Sequence, residues 1–440
     1  MLTQIPVVLQ LLAITNTSVV DPSTGTVRAG QTVVVRGSRI EAVMPAREAR
    51  VPQGARRIDG TGRFVIPGLW DMHVHMDLPG GRAMLPLYVA HGVTGVRDMN
   101  SRLEVLRGWQ REIGRGAQVG PRMVVSGPYV VGRAVPLPHL VALTAADGAR
   151  AVDSLAALGV DFIKVHNALP PAALYGVARR ARERGIVFAG HVFPPTTPLQ
   201  ASDSGQRSLE HLAGFPNECS AADSVRYARA HFLHTLLFGG CTSVPQAPLY
   251  AGIARNATWV TPTLVVQEPL IDFSPSVVPG DSVHKFFNDS LMAFIQLVME
   301  MPRNVPAEQV ALGQPLFDRR VAMTGALARA GVPLLVGTDA PLTRAIPGLA
   351  VHDELAFLVK AGLTPAQALR SGTWEPARYF AATDSMGTVA AGKVADLVLL
   401  EANPLVNIAN TRRIAGVVAG GRYFDRPQLN VLVNGARVRK

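Results

Sequence analysis

The central part of the chain, about residues 68–380, alternates short apolar runs with longer stretches whose apolar residues recur at helical spacing. Such alternation is typical of βα units that build a parallel sheet. Eight runs have the character of strands, and eight is the number that a (β/α)8 TIM barrel requires. In chain order the runs are LWDMHVH, GVTGVRD, RMVVSG, DFIKVH, IVFAGH, RSLEH, TWVTPTL and PLLVGTD.

The stretches between these runs predict helices, for example over 145–158 and over 171–184. The second begins with a proline, which a helix tolerates in its first turn. A long, proline-rich connection follows the seventh run, over about 267–315. Connections of this length are usually lids, binding loops or disordered segments, so we predict a lid with a partly helical centre over about 283–301.

The two ends of the chain share a different pattern, in which brief strand-like runs are separated by turn-forming residues. Residues 11–66 contain LLAITNTSVVD, QTVVVRG and RIEAVMP, and the last segment contains GKVADLVLLE, IAGVVAGGRY and VLVNGARV. We therefore predict an α/β fold in which 1–67 and 387–440 pair into one small β domain around an inserted barrel of residues 68–386.

The composition is that of an ordinary globular protein, with 48% hydrophobic and 17% charged residues in a chain of 440. No apolar run reaches the roughly 20 residues that span a bilayer, so we expect no membrane partner. The first residues, MLTQIPVVLQLLAITN, are apolar but have no preceding basic segment and no small-residue cleavage pattern. The location of the protein stays open, with the cytoplasm as the default and an exported form with a trimmed signal peptide as the alternative.

The net charge of +11 raises the question of nucleic-acid binding. The basic residues are dispersed, however, and none of their runs is interleaved with the aromatic residues that a strand-binding surface needs. The densest cluster, RRARER at 179–184, has a helical pattern and is better explained as a solvated face. We therefore expect no nucleic-acid partner, and only a mild attraction of small anionic substrates.

Cysteine use is sparse, since the chain contains only Cys219 and Cys241. Two cysteines cannot staple a protein of this size, and there is no CxxC pair for zinc binding or redox chemistry. We interpret both as free thiols.

Ionisable side chains follow or close several of the predicted strands. Because barrel active sites form at the carboxyl ends of the strands, such residues should converge in space. The two imidazoles of HVH stand two residues apart, so they point to the same side of the sheet and one cation can lie between them. The converging residues are His73, His75, Lys164, His166, His191, His211 and Asp339.

Each of these residues is weak evidence by itself, because a single histidine at a strand end is more often a satisfied polar residue than a ligand. Lys164 is more informative, since a lysine within the apolar run FIKV is hard to explain as surface. Either it extends to the barrel mouth or pairs with a carboxylate, or it is carbamylated by carbon dioxide and becomes an anionic bridge between two metals. Asp339 could simply cap the next segment. Taken together, the strand ends favour a metal site.

The same residues resemble a known family, the amidohydrolase superfamily, and specifically its binuclear-metal branch near the Xaa-Pro and Xaa-Arg dipeptidases and imidazolonepropionase-like proteins. The resemblance covers nearly the whole chain. It is carried by VIPGLWDMHVH, the lysine of the fourth run, the two later single histidines, GTDAP and MGTVAAGKVADLVLLEANPL.

This resemblance implies a β-sandwich built from both chain ends and a site with two metal ions. His73, His75 and Asp339 would hold the more buried ion, His191 and His211 the more exposed one, and a carbamylated Lys164 would bridge them. Mononuclear relatives, such as deaminases and imidazolonepropionase itself, lack the bridging lysine, so its presence argues against them. Zinc is the first expectation, and manganese, cobalt or iron suit the same ligands.

A pair of such ions about 3.5 to 4 Å apart makes hydroxide available as nucleophile and polarises the scissile carbonyl. Asp339 would take the proton of that hydroxide and pass it to the departing amine. No serine or cysteine nucleophile is needed, and neither Ser126 nor Cys241 lies in a pattern such as GxSxG.

Substrate recognition is the least defined part of the sequence. His166 lies two residues beyond Lys164 and could contact the substrate or stabilise the oxyanion. Tyr129, His139 and Arg344 could each reach a substrate carboxylate. The related dipeptidases often carry Gly-Gly-His after the third strand, where this chain has GPYVVGRAVPLPHL, and that departure weakens the case for dipeptides. His352 and Glu354 match a family pattern in the helix after the eighth run, where a supporting or packing role is expected.

The sequence therefore predicts a metal-dependent amidohydrolase that cleaves an amide-type C–N bond in a dipeptide or an N-acyl amino acid with a free carboxylate. A lactone or ester hydrolase is the nearest alternative, because the same hydroxide attacks any activated carbonyl. A scaffold barrel without activity is the alternative of another class, although no ligand is missing here. We also expect a homo-oligomer.

Overall fold

The computed structural model describes residues 10–228, 239–271, 282–299 and 306–438. Parts of the predicted lid, 272–281 and 300–305, lie outside these described residues. The described part of its predicted helical centre contains a 3₁₀ turn at Ser282–Lys285 and a helix at Asp289–Met299.

The strands of the described residues belong to four sheets. In chain order they are β1 (Leu11–Asp21), β2 (Thr26–Arg36), β3 (Arg39–Pro45), β4 (Arg56–Asp59), β5 (Phe64–Pro67), β6 (Leu69–Val74), β7 (Val93–Asp98), β8 (Arg122–Val125), β9 (Tyr129–Val131), β10 (His139–Val141), β11 (Ile163–Val165), β12 (Phe188–Gly190), β13 (Ser208–Glu210), β14 (Asn217–Glu218), β15 (Cys241–Thr242), β16 (Trp259–Thr261), β17 (Leu397–Leu400), β18 (Ile414–Ala419) and β19 (Arg422–Asp425).

Helices separate most of the central strands, and within the described ranges none of them is long and apolar enough to cross a membrane. They are α1 (Gly81–Ala90), α2 (Leu103–Gly114), α3 (Ala145–Leu158), α4 (Pro171–Arg184), α5 (Pro198–Asp203), α6 (Ala221–Tyr227), α7 (Ala247–Arg255), α8 (Leu264–Gln267), α9 (Asp289–Met299), α10 (Ala307–Val310), α11 (Gly313–Arg329), α12 (Leu349–Lys360), α13 (Pro365–Ser371), α14 (Trp374–Tyr379) and α15 (Arg426–Gly435).

The predicted helices α3 and α4 are confirmed at both ends, because their caps are encoded locally. Thr144 and Asp147 form a capping box at the start of α3, and Gly159 ends it in a left-handed conformation with φ 77°. Helix α4 begins with Pro171 and ends at Gly185, whose φ is 65°.

The central strands pair in parallel, as βα units require. Strands β6, β7 and β8 form one sheet, and β10, β9, β11, β12, β13 and β16 follow one another in a second. The strands β9 and β10 were both missed by the sequence analysis; they pair with each other, and β9 also pairs with β11. All but one of the eight predicted runs contain a strand, and closure of the sheets into a barrel stays a prediction.

The exception is the eighth run, PLLVGTD, and its prediction as a strand was wrong. An isolated bridge joins Leu334 of this run to Val260, and another joins Ala340, the residue after the run, to Val74, so the segment still lies between the seventh and first runs. The backbone leaves the extended conformation at Asp339, whose φ is 59°, and the N–H of Asp339 donates to the oxygen of His73 at 2.7 Å. A left-handed residue departs from the extended conformation, so regular strand pairing is interrupted there.

Strands from both chain ends share one eight-stranded sheet, in which β5 pairs antiparallel with β17. Some of its buried side chains, including Leu12, Val33 and Leu397, form a separate core cluster, while others, such as Val398 and Val417, belong to the main core. That these strands form a separate β-sandwich domain stays a prediction. The prediction of a strand for the final run, VLVNGARV, was wrong, because its first residues belong to helix α15. Asp425 and Gln428 form a capping box there, and such a cap overrides the strand-like composition.

The prediction that both cysteines are free thiols was wrong. They form the disulfide Cys219–Cys241. Strands β14 and β15 pair beside them, so the Cα atoms of the two cysteines lie 5.6 Å apart despite a separation of 22 residues. The pairing that brings them together is a tertiary contact, which the spacing of two cysteines does not reveal.

Candidate metal centre

The first two candidate ligands, His73 and His75, come from the carboxyl end of β6, every residue of which is buried. Because they stand two residues apart in an extended segment, both rings reach the same carboxylate. The Oδ1 atom of Asp339 lies 3.4 Å from Nε2 of His73 and 3.0 Å from Nε2 of His75. The left-handed backbone at Asp339 turns this side chain toward the two imidazoles.

The later histidines lie beside this group. His191 directly follows β12 and His211 directly follows β13, and their ring centroids are 4.6 Å apart. The His211 ring is also 4.3 Å from that of His73. The Oγ1 atom of Thr263 lies 2.6 Å from Nδ1 of His211, which leaves its Nε2 available to a ligand.

Lys164 is the middle residue of β11 and is fully buried. Its Nζ has no hydrogen-bond partner among the described residues. Burial lowers the pKa of Lys164 to about 7, although Glu210 and Asp339 act in the opposite direction. The amine is therefore partly neutral near pH 7, which an ordinary surface lysine is not.

The same burial favours the neutral forms of His73, His191 and His211. Desolvation lowers the pKa values of His73 and His191 well below the usual range, with Lys164 and the neighbouring rings acting in the same direction. Burial also lowers the pKa of His211 to about 4. Burial raises the pKa of Asp339, but His211, His75 and Lys164 outweigh it and the net pKa is lowered. Neutral imidazoles beside a carboxylate are the forms that bind divalent metals.

These residues suit a metal ion by the chemistry of their side chains and also because several of their buried polar atoms lack hydrogen-bond partners. Among the described residues, His73 Nε2, His191 Nδ1 and Lys164 Nζ are buried and make no hydrogen bond. Two sets of three side chains each place their ligand atoms within 4.8 Å of one another. One set is His73, His75 and Asp339, and the other is His73, His191 and His211. His73 thus belongs to both sets.

Two supporting residues were missed by the sequence analysis. Glu210 Oε2 lies 2.7 Å from His73 Nδ1, and Arg97 donates from Nη2 to Glu210 Oε1 at 2.9 Å. Both side chains are fully buried, and Ser208 donates to the same Glu210 oxygen. A carboxylate on Nδ1 fixes the tautomer and directs Nε2 toward a metal. Two sequence features could have indicated them: the charged Arg97 lies within the apolar run GVTGVRD, and Glu210 directly precedes His211.

Replacing Glu210 with glutamine should weaken metal binding by about 10- to 100-fold, because an amide holds the His73 tautomer less firmly and leaves the buried Arg97 without its counter-charge. Metal affinity measured by competition with a chelator tests this. Glu218→Gln, a change of the same type in the exposed end of β14, is the matched control and should bind metal normally. Unchanged affinity in Glu210→Gln would contradict the proposed role of this carboxylate.

A cavity of about 330 Å³ opens beside these side chains. His75, His191, His211 and Asp339 line it, together with two of the predicted substrate-binding residues, Tyr129 and His166. The rings of Tyr129 and His166 stack with centroids 4.2 Å apart. The described part of the predicted lid reaches the same cavity, where α9 contributes Phe294, Leu297 and Val298.

The other two predicted substrate-binding residues do not line this cavity in the described structure. The Nδ1 atom of His139 lies 2.8 Å from the backbone oxygen of Leu137, and Arg344 is exposed.

The two residues of α12 that match a family pattern, His352 and Glu354, contact groups outside the candidate metal ligands. His352 packs away from the cavity, with Nδ1 2.9 Å from Thr411 Oγ1 and Nε2 3.0 Å from the oxygen of His91. Glu354 accepts a hydrogen bond from the N–H of Val265 at 2.8 Å, two residues beyond the threonine that contacts His211.

The chain matches the family model described as "Amidohydrolase family" over residues 64–423. Among curated proteins, imidazolonepropionase from Ralstonia nicotianae is 26% identical over 412 residues, covering 90% of this chain and 93% of that protein. A solved structure of a putative prolidase from Bifidobacterium longum has a TM-score of 0.71 at 22% identity, covering 97% of this chain and 99% of that one. A bottromycin amidohydrolase has a TM-score of 0.74 at 25% identity, covering 97% and 90%.

Proposed function

Because the chain belongs to the amidohydrolase family, we propose that it hydrolyses an amide-type C–N bond in a dipeptide or an N-acyl amino acid. The family and the relatives support a hydrolase acting on C–N bonds. The observation that carries the proposal is the meeting, in one buried place, of ligand-type side chains from separate strand ends. They are His73, His75, Lys164, His191, His211 and Asp339.

Two divalent ions, with zinc as the first expectation, would occupy this centre. His73, His75 and Asp339 would hold one ion, and His191 and His211 the other. The neutral amine of Lys164 would add carbon dioxide and release a proton, and the resulting carbamate would supply an oxygen to each ion. Ions held in this way lower the pKa of a bound water and polarise a carbonyl.

The chain's own residues would then move the proton and hold the substrate. Asp339 Oδ1, the atom nearest both imidazoles of β6, would accept the proton of the attacking water and return it to the departing amine. His166 and Tyr129 would contact the carbonyl oxygen or the acyl group from the cavity wall. The cavity volume of about 330 Å³ suits a small substrate.

The family also suggests the rest of the architecture. We propose that the eight central runs close into a (β/α)8 barrel, with the eighth between the seventh and first through its two bridges. The strands of the two chain ends would form the accompanying β-sandwich.

A substrate panel with metal-loaded enzyme tests the proposal. The panel contains dipeptides, N-acyl amino acids, lactones and imidazolone propionate, the last because curated relatives are named imidazolonepropionases. We expect amide hydrolysis, a loss of at least about 100-fold after chelation, and recovery with zinc or manganese. Elemental analysis should find two ions per chain.

Other outcomes separate the alternatives. Activity confined to lactones or esters would replace the amide assignment, since the same centre can attack either carbonyl. Hydrolysis of imidazolone propionate alone would align the chain with its curated relatives. A chain that binds no metal in the presence of zinc or manganese would be a scaffold barrel.

A further inference from the structure

Two loops meet tightly at the rim of the cavity. The N–H of Gly132 donates to the backbone oxygen of Asn167 at 2.9 Å. A Cβ atom at Gly132 would lie 1.9 Å from the oxygen of Ala168, so only glycine permits this approach. The contact ties the loop after β9 to the loop after β11. Arg133, next to Gly132, and Asn167 both line the cavity.

Arg133 is distinct among the side chains of the cavity. Apart from the histidines, the only charged residues that line it in the described structure are Arg133 and Asp339. Asp339 lies among the imidazoles, whereas Arg133 is exposed at the rim. In the described ranges the Arg133 guanidinium forms no ion pair, and the Asn167 side-chain amide forms no hydrogen bond.

We propose that Arg133, assisted by Asn167, binds the free carboxylate of the substrate. A guanidinium with a neighbouring amide donor matches the two oxygens of a carboxylate. Arg133 lies in the loop where this chain has GPYVVGRAVPLPHL in place of the Gly-Gly-His pattern of the related dipeptidases. The proposed carboxylate contact is therefore particular to this chain. The inference rests on the proposed function, because it assigns the carboxylate of the residue that would leave as the amine.

The remaining wall of the cavity determines which substrate side chain is favoured next to that carboxylate. Its wall beyond Arg133 is apolar and includes Leu137, Phe294 and Leu297. No acidic side chain other than Asp339 lines the cavity in the part of the chain that is described. A cationic side chain would lie against this apolar wall, near the like-charged Arg133 and without an acidic partner among the described lining residues, whereas an apolar one gains from the contact. The substrate class is an acyl amino acid or dipeptide whose carboxyl-terminal residue is apolar.

The first experiment compares N-acetyl-L-phenylalanine with its carboxamide, following release of acetate by wild type and Arg133→Gln. For the acid, Arg133→Gln should raise KM about tenfold and change kcat less than twofold, since a rim guanidinium is partly screened by solvent. For the carboxamide both constants should stay unchanged. Arg28→Gln, an exposed arginine of β2 in the terminal sheet, is the matched control and should behave as wild type. Parallel changes for acid and carboxamide, or none, would overturn the proposal.

A binding measurement separates this inference from the proposed reaction. N-mesyl-L-phenylalanine carries a sulfonamide in place of the scissile amide, and N-mesyl-L-phenylalaninol lacks the carboxylate. Calorimetric titration should show about tenfold weaker binding of the acid to Arg133→Gln and unchanged binding of the alcohol. If no amide is hydrolysed but this difference appears, the reaction assignment fails and the carboxylate subsite stands. If amides are hydrolysed without this difference, the subsite is wrong and the reaction stands.

The preference for an apolar residue has its own test. The value of kcat/KM for N-acetyl-L-phenylalanine should exceed that for N-acetyl-L-arginine at least about tenfold. The substitution Leu297→Glu, at an exposed position, should reduce that ratio by giving the arginine side chain of the substrate an acidic partner. A wild-type preference for the arginine substrate would overturn the apolar part of the proposal.

Discussion

Replacing Lys164 with alanine should lower kcat/KM by about 100- to 1000-fold and reduce the bound metal at the same time. The physical reason is that the Lys164 side chain is fully buried near His73, His191 and Asp339, and its Nζ has no hydrogen-bond partner among the described residues. Without the proposed carbamate bridge, two ions at the proposed sites would repel each other across a poorly screened interior. Steady-state kinetics and elemental analysis of the same samples measure both effects.

Controls separate the bridge from simple packing. Lys164→Met keeps most of the buried methylene volume, so it should lose activity like Lys164→Ala but lose less stability to heat. Lys360→Ala, at the exposed end of α12, should behave as wild type. Short carboxylic acids such as acetate or propionate should partly restore Lys164→Ala by filling the vacated space with a carboxylate. Full turnover in Lys164→Ala would show that the lysine is not a bridge.

The candidate centre was predictable because it follows from local alternation and one rule of topology. His73 and His75 share a side because they are two apart in an extended segment, and Lys164, His191 and His211 come together because β11, β12 and β13 are parallel neighbours. Even the eighth run shows this. It is not a strand, but its two bridges keep it between β6 and β16, so Asp339 arrives at the place that a strand would have given it.

The features that the sequence missed depend on contacts between distant segments. The disulfide needs β14 and β15 to pair across 22 residues of sequence separation. Arg133 becomes a cavity residue only because Gly132 packs against the loop at Ala168, a contact that no periodicity encodes. Glu210 is different, because a buried arginine in the second run already requires an acidic partner somewhere in the core. That reasoning would have indicated a partner for Arg97, although not which carboxylate.

The substitution Asp339→Asn should have the other large effect, a decrease in kcat of about 1000-fold with little change in the fold. Asparagine matches aspartate in shape and tolerates the left-handed backbone of φ 59° at this position, so the side chain should still reach His73 and His75. What it loses is the charge, which the neighbouring His211, His75 and Lys164 stabilise by lowering the pKa of Asp339. An amide oxygen cannot accept and return a proton at neutral pH.

The decisive comparison for Asp339 is between binding and turnover. If its main role is proton transfer, Asp339→Asn should bind N-mesyl-L-phenylalanine within about threefold of wild type while kcat falls, because the rim contact at Arg133 is untouched. If it acts only as a ligand, metal content should fall in proportion to activity, and added zinc should restore both. Asp353→Asn, on the exposed side of α12, controls for the loss of one carboxylate and should retain wild-type kinetics. Retention of more than about a tenth of kcat in metal-loaded Asp339→Asn would exclude Asp339 as the proton carrier, since general acid–base catalysis is worth about 100- to 10,000-fold.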